Sequence, residues 1–375
     1  MSIDDATQFV AQIHDAGTRL VLAVTGGGSE AISSLFSVPG ASRSMLLAAV
    51  PYSDAALIEW LDSQPEQFCS PRTARAMAMV AYEKARKLAP AATRVAGIGC
   101  TASLASDRPK RSPHRFFIAT QTADATTSTH VELEKGRRTR GEEEHITATA
   151  ILNEIAATCT LADRLPSELA ASEHPDRVAK IASPDWQALL GGSLDRLCIG
   201  SCGPPRALFP GAFNPIHVGH RRMAEIASRM LGTPVAWEIS IVNVDKPPLD
   251  FIEIDARVGQ FAPGESVWLT RAPTFVEKAA VFPGVTFVVG TDTMTRIAET
   301  RYYQNSFPKM LAAIEGIATA GCRFLVFGRQ TDGTFRTLND LNLPPSLLAL
   351  CDEVPETEFR EDVSSTELRQ QSDNS

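Results

Sequence analysis

The amino-acid sequence predicts an α/β protein of two α/β domains, the second built on a parallel, doubly wound sheet. Three observations predict it. The chain has 375 residues, too many for one ordinary core, so two domains of about 150 to 200 residues are expected. Short apolar runs alternate with helical patterns in two separate series, the signature of strands and helices taken in turn. Between the series lies a stretch broken by Pro166, Pro175 and Pro184 and closed by Gly191-Gly192 and Gly203-Pro204-Pro205. The expected layout is a domain over 1–165, a linker over 166–205 and a second domain over 206–375.

The elements follow in order. Arg19 to Thr25 reads as a strand ending in Gly26-Gly27-Gly28, then a helix-like stretch to Phe36, and Met45 to Val50 as a second apolar run. Ser70 is a suitable N-cap, and Pro71 a suitable first residue, for a long helix to about Leu88. Arg94 to Gly99 is a strand, and Phe116 to Thr120 with Thr129 to Leu133 a β pair. Ile146, Ala150, Ile151 and Ile155 fall at helical spacing within Glu142 to Thr158. A small helix is expected near Asp185 to Leu190. The second series opens at Arg206, with strands at Ala207 to Phe209, Val235 to Val242, Val267 to Leu269, Val285 to Val289 and Arg323 to Phe327. Helical patterns separate them at Arg221 to Leu231, Ile252 to Gln260, Thr274 to Phe282 and Pro308 to Thr319.

Composition narrows the function. The chain is 44% hydrophobic and 21% charged with a net charge of −8, which argues against a general nucleic-acid binder. No run approaches the ~18 apolar residues that span a bilayer, and the acidic N-terminus has no apolar signal core. A cytoplasmic protein without a membrane partner is expected. Seven cysteines stand at 69, 100, 159, 198, 202, 322 and 351, with no C-x-x-C. Cys198 and Cys202 form the only close pair, and the expected reading is buried or idle thiols in a reducing compartment rather than a zinc site.

Chemistry concentrates at Gly211-Ala212-Phe213-Asn214-Pro215-Ile216-His217-Val218-Gly219-His220. Gly211 permits a tight turn, and Phe213, Asn214 and Pro215 shape it. His217 and His220 share one face at a helix start, where free N–H groups and the dipole favour an anion. The stretch suits the polyphosphate of a nucleoside triphosphate at the carboxyl end of a strand. Near the end stand Ser364, Ser365 and Thr366, with Arg369 one turn further on. They offer hydroxyls and a delocalised charge to a phosphate; taken alone, the stretch reads first as an ordinary serine cap.

Together the two elements resemble nucleotidyltransferases of the nicotinamide and nicotinate mononucleotide adenylyltransferase type, which carry G-x-F-N-P-x-H-x-G-H early and S-S-T-x-[IL]-R late. The resemblance covers roughly Arg206 to Arg369 and implies a Rossmann-like sheet of the HxGH type. It implies His217, His220 and Arg369 as catalytic residues. Gly211, Phe213, Asn214, Ser364, Ser365 and Thr366 would contact the nucleotide. Asp292 would help position the nucleoside, or else cap the next helix. Lys246 would reach substrate phosphates, or else be a solvated loop charge. Arg329 matches a late strand-loop arginine, and Arg296, Arg301 and Arg271 are weaker candidates. The implied reaction joins ATP, carried with Mg²⁺, to a mononucleotide or other phosphorylated small molecule. A cytidylyltransferase acting on a phosphorylated alcohol is the alternative, and a non-catalytic nucleotide-binding scaffold a second one.

The first domain resembles, over roughly Arg19 to Ala157, the nicotinamide-nucleotide amidase or CinA C-terminal family. Thr25-Gly26-Gly27, Val38-Pro39-Gly40-Ala41-Ser42, Tyr52-Ser53-Asp54 and Gly97-Ile98-Gly99 are similar to its motifs, and Arg140 to its closing arginine. The motif serine is Ala23 here and the motif lysine is Leu57. Without a hydroxyl nucleophile or its activator, the domain is expected to lack amidase activity, as a relic that could hold a nucleotide at the Thr25-Gly26-Gly27 turn. The resemblance also makes a homo-oligomer an open expectation. The basic run Arg108 to Arg115 reads first as a solvated hairpin loop, and otherwise as a contact for a phosphate or an acidic partner; His130 and His145 read as histidines without partners.

Overall fold

The computed structural model describes residues 3–108, 111–331 and 334–359. Its contacts divide the chain into two units, Met1–Gln187 with Asp245–Glu253, and Ala188–Val244 with Ile254–Ser375.

Unit 1 contains α1 (Ile3–Asp15), β1 (Arg19–Thr25), α2 (Ser29–Ser37), α3 (Ala41–Ser44), β2 (Met45–Ala49), α4 (Asp54–Leu61), α5 (Pro71–Leu88), β3 (Val95–Ser103), β4 (His114–Gln121), β5 (Ala125–Leu133), α6 (Arg140–Thr158) and β6 (Asp176–Ile181). The six strands lie in the order β2-β1-β3-β4-β5-β6. The first three run parallel and the last three antiparallel. Ser70 caps α5 by accepting from the Thr73 N–H, with Pro71 at its first position. Gly97 and Gly99 let α5 lie directly on β3. A Cβ on either would sit 2.1 Å from the Tyr82 nitrogen or 2.4 Å from the Ala74 oxygen. The main core joins Leu22, Val24, Phe116, Ile118, Ile151 and Ile155. Ala23 and Leu57, where the resemblance expects a nucleophile and its lysine, pack together with Leu61 and Met77 in a separate buried apolar cluster.

The chain continues through α7 (Pro184–Gly191), β7 (Arg196–Gly200), β8 (Ala207–Pro210), α8 (Val218–Leu231), β9 (Val235–Ser240), α9 (Phe251–Val258), β10 (Ser266–Thr270), α10 (Phe275–Val281), β11 (Thr286–Gly290), α11 (Thr291–Ile297), α12 (Phe307–Thr319), β12 (Arg323–Phe327), β13 (Arg329–Thr331), β14 (Thr334–Arg336), α13 (Pro345–Leu348) and β15 (Cys351–Glu353). The sheet of unit 2 has the order β15-β12-β11-β8-β9-β10-β7. All of its pairings are parallel except β7 against β10. From β8 the chain winds one way to β9 and β10, then returns to β11 and β12 on the other side. The switch point lies between β8 and β11, where an open α/β sheet leaves a crevice beyond its strand ends. Phe287, Val289, Phe324 and Val326 bury one sheet face against Ile314 and Ile317 of α12.

Four sequence expectations change. The 166–205 stretch is not a bare connection: β6 completes the first sheet and β7 the second. Prolines bracket these strands instead of breaking them. Cys198 and Cys202 form a disulfide where idle thiols were expected. Gly200, at φ +83°, turns the chain and brings the two Cα atoms to 5.8 Å, within bridging reach. His145 has a partner after all, its Nδ1 lying 2.8 Å from Glu30, and His130 stacks on Phe117 at 4.4 Å. Both contacts come from residues distant in sequence or across a strand pair, so no local pattern announces them. Within the basic run, His114 is buried at the start of β4 with Nδ1 2.7 Å from the wholly buried Glu143.

Candidate active site

The turn after β8 carries Gly211 to His217. Phe213 occupies the left-handed region at φ +44°, an uncomfortable conformation for a bulky residue. Its ring offsets that strain by full burial among Phe209, Trp237, Phe261 and His220, with centroids 5.2 to 5.7 Å away. Gly211 is required for this packing, since a Cβ there would meet the Phe213 ring at 2.5 Å. The Asn214–Pro215 bond is cis. Gln260 straps the turn from outside: its Nε2 donates to the Phe213 carbonyl at 2.9 Å, and its Oε1 accepts from the Ile216 N–H at 2.8 Å. Arg257 donates to the Ala212 carbonyl at 3.1 Å. Arg221 lies over the Trp237 and Phe261 rings and pairs with Glu265, which also accepts from the Trp237 indole.

His217 is the N-cap of α8 and His220 stands on its first turn. Their rings stack at 3.7 Å. The His217 N–H donates to Nδ1 of His220 at 3.3 Å, so the ring proton of neutral His220 belongs on Nε2. Burial pushes the His220 pKa down, helped by His217, Arg329 and Arg221, to about 3. His220 is therefore a neutral imidazole with one N–H to give.

Asp292 follows β11 and Arg329 follows β12, and they form an ion pair. The field of Arg329 reaches His220. Both side chains are roughly half exposed, so the pair is worth about 0 to 1 kcal/mol and does not lock Arg329 in place. Unit 2 thus brings Gly211, Phe213, Asn214, His217, His220, Asp292 and Arg329 to the strand ends around the switch point. Lys246 lies in Asp245–Glu253, which belongs to unit 1. Arg271 donates to the Leu189 and Leu190 carbonyls, while Arg296 and Arg301 contact Tyr302. Ser364, Ser365, Thr366 and Arg369 lie outside the described residues.

Sequence reasoning missed Gln260, Arg257 and the Arg221–Glu265 pair, because in each contact the two partners lie 44 or 45 residues apart in the chain. The Thr25-Gly26-Gly27 turn of unit 1 has its own occupant. The Gly28 and Glu30 N–H groups and the Ser29 hydroxyl donate to Glu144. Burial raises the Glu144 pKa, but these donors outweigh it and hold the carboxyl below its usual range. Among the described residues, no group of three or more His, Cys, Asp or Glu side chains is placed to hold a metal ion. Among them also, no helix is long and apolar enough to cross a membrane.

Solved structures similar to this chain include competence/damage inducible protein CihA from Agrobacterium tumefaciens, 19% identical, covering 42% of this chain and 99% of that one at a TM-score of 0.34. A competence-damaged protein superfamily member from Escherichia coli is 16% identical, covering 43% and 91% at 0.33. A competence or damage-inducible protein from Enterobacter asburiae is 16% identical, covering 42% and 99% at 0.33. At these scores the likeness carries nothing further. No curated protein matches the chain. Residues 208–371 match the family model described as cytidylyltransferase-like, which supports a nucleotidyltransferase on a Rossmann-type domain in the C-terminal region.

Proposed function

We propose that unit 2 transfers a nucleotidyl group from a nucleoside triphosphate to a phosphorylated acceptor, with ATP and nicotinamide or nicotinate mononucleotide as the preferred pair. The observation that carries this reading is the convergence of His217, His220 and the Arg329–Asp292 pair on the sheet's switch point. In this reaction an acceptor phosphate oxygen attacks the α-phosphorus, the new P–O bond forms, and the bond to the β-phosphate breaks to release pyrophosphate. No covalent enzyme intermediate is needed, so positioning and charge stabilisation do the work.

Each residue has a task suited to its state. The N-terminus of α8 directs N–H groups at the phosphates. Neutral His220 offers Nε2–H to a phosphoryl oxygen, a hydrogen bond that strengthens as negative charge builds. Arg329 supplies a delocalised positive charge, and Asp292 pairs with it until substrate arrives. The described residues suit the phosphate side of a Mg²⁺–triphosphate rather than the ion itself, since Asp292 is ion-paired with Arg329 and no cluster of three metal-ligating side chains is present among them. A Mg²⁺ ion arriving with the nucleotide would supply charge neutralisation for the pyrophosphate. Arg369 and the hydroxyls of Ser364, Ser365 and Thr366 belong to the same proposal as a second wall of the site.

A cytidylyltransferase acting on a phosphorylated alcohol is the second reading, favoured by the description of the matched family model. Pyrophosphate release from each triphosphate with each acceptor separates the two. Release with ATP and the mononucleotide supports the first reading. Release with CTP and a phospho-alcohol supports the second, and release with no pair defeats both. Unit 1 is proposed to be non-hydrolytic. Support comes from the burial of Ala23 and Leu57 in one apolar cluster and from Glu144 on the N–H groups of the Gly-rich turn. Ammonia release from nicotinamide mononucleotide would overturn it.

A further inference from the structure

The outer edge of β6 is the most accessible strand edge of unit 1. β6 ends the sheet order, and five of its six residues are exposed. Val178 and Ile181 are 51% and 77% exposed, unusual for apolar residues on a strand.

The hydrogen-bond parity of β6 can be fixed. The Ala182 N–H donates to the Asp124 carbonyl, and the Thr122 N–H to the Ala125 carbonyl. Even-numbered residues of β5 therefore bond to β6, and even-numbered residues of β6 bond back. With pairing alternating along an antiparallel ladder, the N–H and C=O groups of Arg177, Ala179 and Ile181 point outward. Exposed edges of this kind invite another strand.

We propose that β6 pairs antiparallel with β6 of a second copy of this chain, in the register centred on Val178. In that register Arg177 and Ala179 of one copy exchange backbone bonds with Ala179 and Arg177 of the other. Val178 meets Val178 as a close non-hydrogen-bonded pair. Asp176 stands opposite Lys180 of the second copy, and Lys180 opposite Asp176. The strand is thus complementary to itself in charge as well as in backbone polarity. Moving the centre to Ala179 would set Val178 against Lys180 and leave Asp176 without an opposite charge. The three charged residues of the strand disfavour other partners, and the two-fold register alone turns Asp176 and Lys180 into attractive pairs.

Sedimentation velocity of the full chain across a concentration series tests this. The wild type forms dimers. Lys180→Asp sets like charges opposite each other twice and raises the dimer dissociation constant about tenfold or more. The double variant Asp176→Lys with Lys180→Asp restores the wild-type value, which a merely destabilised fold would not do. Ala179→Pro removes an outward N–H without touching the ladder to β5, and shifts the chain to monomer. A wild type monomeric up to roughly 100 µM, well above a micromolar dissociation constant, overturns the proposal, as do dimers unaffected by Lys180→Asp or Ala179→Pro. Failure of the charge swap to restore dimers overturns the register.

Discussion

His220 owes its value to what surrounds it. The Phe209 and Phe213 rings flank it edge-on, and the His217 N–H occupies Nδ1, leaving the one ring proton on Nε2. Replacing His220 with Ala should lower kcat about 10²- to 10³-fold, the range for losing one preorganised donor, while the melting temperature changes little. An unaltered turnover in that variant would sink the role. The depressed pKa also sets a pH dependence. The unfolded chain protonates this imidazole below its ordinary 6.5, whereas the native site refuses the proton until about 3. Its contribution to stability is therefore whole above pH 6.5 and is lost as pH falls from 6.5 toward 3. His220→Asn should flatten that part of the stability–pH curve, read by denaturant melts at about pH 4 and pH 7.5. The histidine pair was legible in the sequence because both rings sit on one local turn. Gln260 was not, since its two bonds to that turn cross 44 and 47 residues. Gln260→Ala should let the turn relax and lower kcat by about tenfold or more, and Gln260→Glu, which keeps only the acceptor, should fall in between. Equal rates in all three proteins would show that the strap does nothing.

Among the elements, α10 is held to the sheet of unit 2 by a buried charge. Lys278 reaches both carboxylate oxygens of Glu238 on β9, at 2.8 and 2.7 Å, and Thr270 of β10 donates to the same carboxylate. Glu238 is fully buried and Lys278 nearly so. Removing one partner strands a charge, so Lys278→Ala should cost about 3 to 5 kcal/mol. Replacing both with apolar residues of similar size, Lys278→Met with Glu238→Leu, should recover most of that loss. Chemical denaturation of the three proteins checks it. A single variant as stable as wild type would mean the pair is not formed. Elements of this kind mark where sequence reading stops. The apolar runs of β11 and β12, and the capped start of α5, are local patterns and were readable. That a glutamate on β9 meets a helix lysine 40 residues on is a tertiary fact. The Cys198–Cys202 bridge is similar, because it depends on the turn at Gly200 rather than on a cysteine motif.

At the scale of the molecule, the chain does not divide at one point in its sequence. Asp245–Glu253 belongs to unit 1 although the sequence before and after it belongs to unit 2. The segment is tied into unit 1 by several groups. Arg75 on α5 donates to Asp250 at 2.9 Å and reaches Glu253 at 3.3 Å, with Arg75, Asp250 and Glu253 all largely buried. The Phe251 N–H donates to the buried Thr126 hydroxyl at 3.0 Å, and the Phe251 ring stacks on Trp186. Sequence periodicity expected a first domain ending near residue 165, and no local signal marks a later segment as part of it. Residues 1–187 expressed alone would keep Arg75 and Thr126 but lose their partners. A fragment cut there should melt lower than the same fragment carrying 245–253 on a flexible linker. The difference should be about 2 to 4 kcal/mol, from one desolvated ion pair and the buried Phe251 ring. Replacing Arg75 with Ala in the linked fragment should remove much of the gain. If the bare fragment and the linked one unfold at the same denaturant concentration, the segment is only passing through, and unit 1 is complete at Gln187.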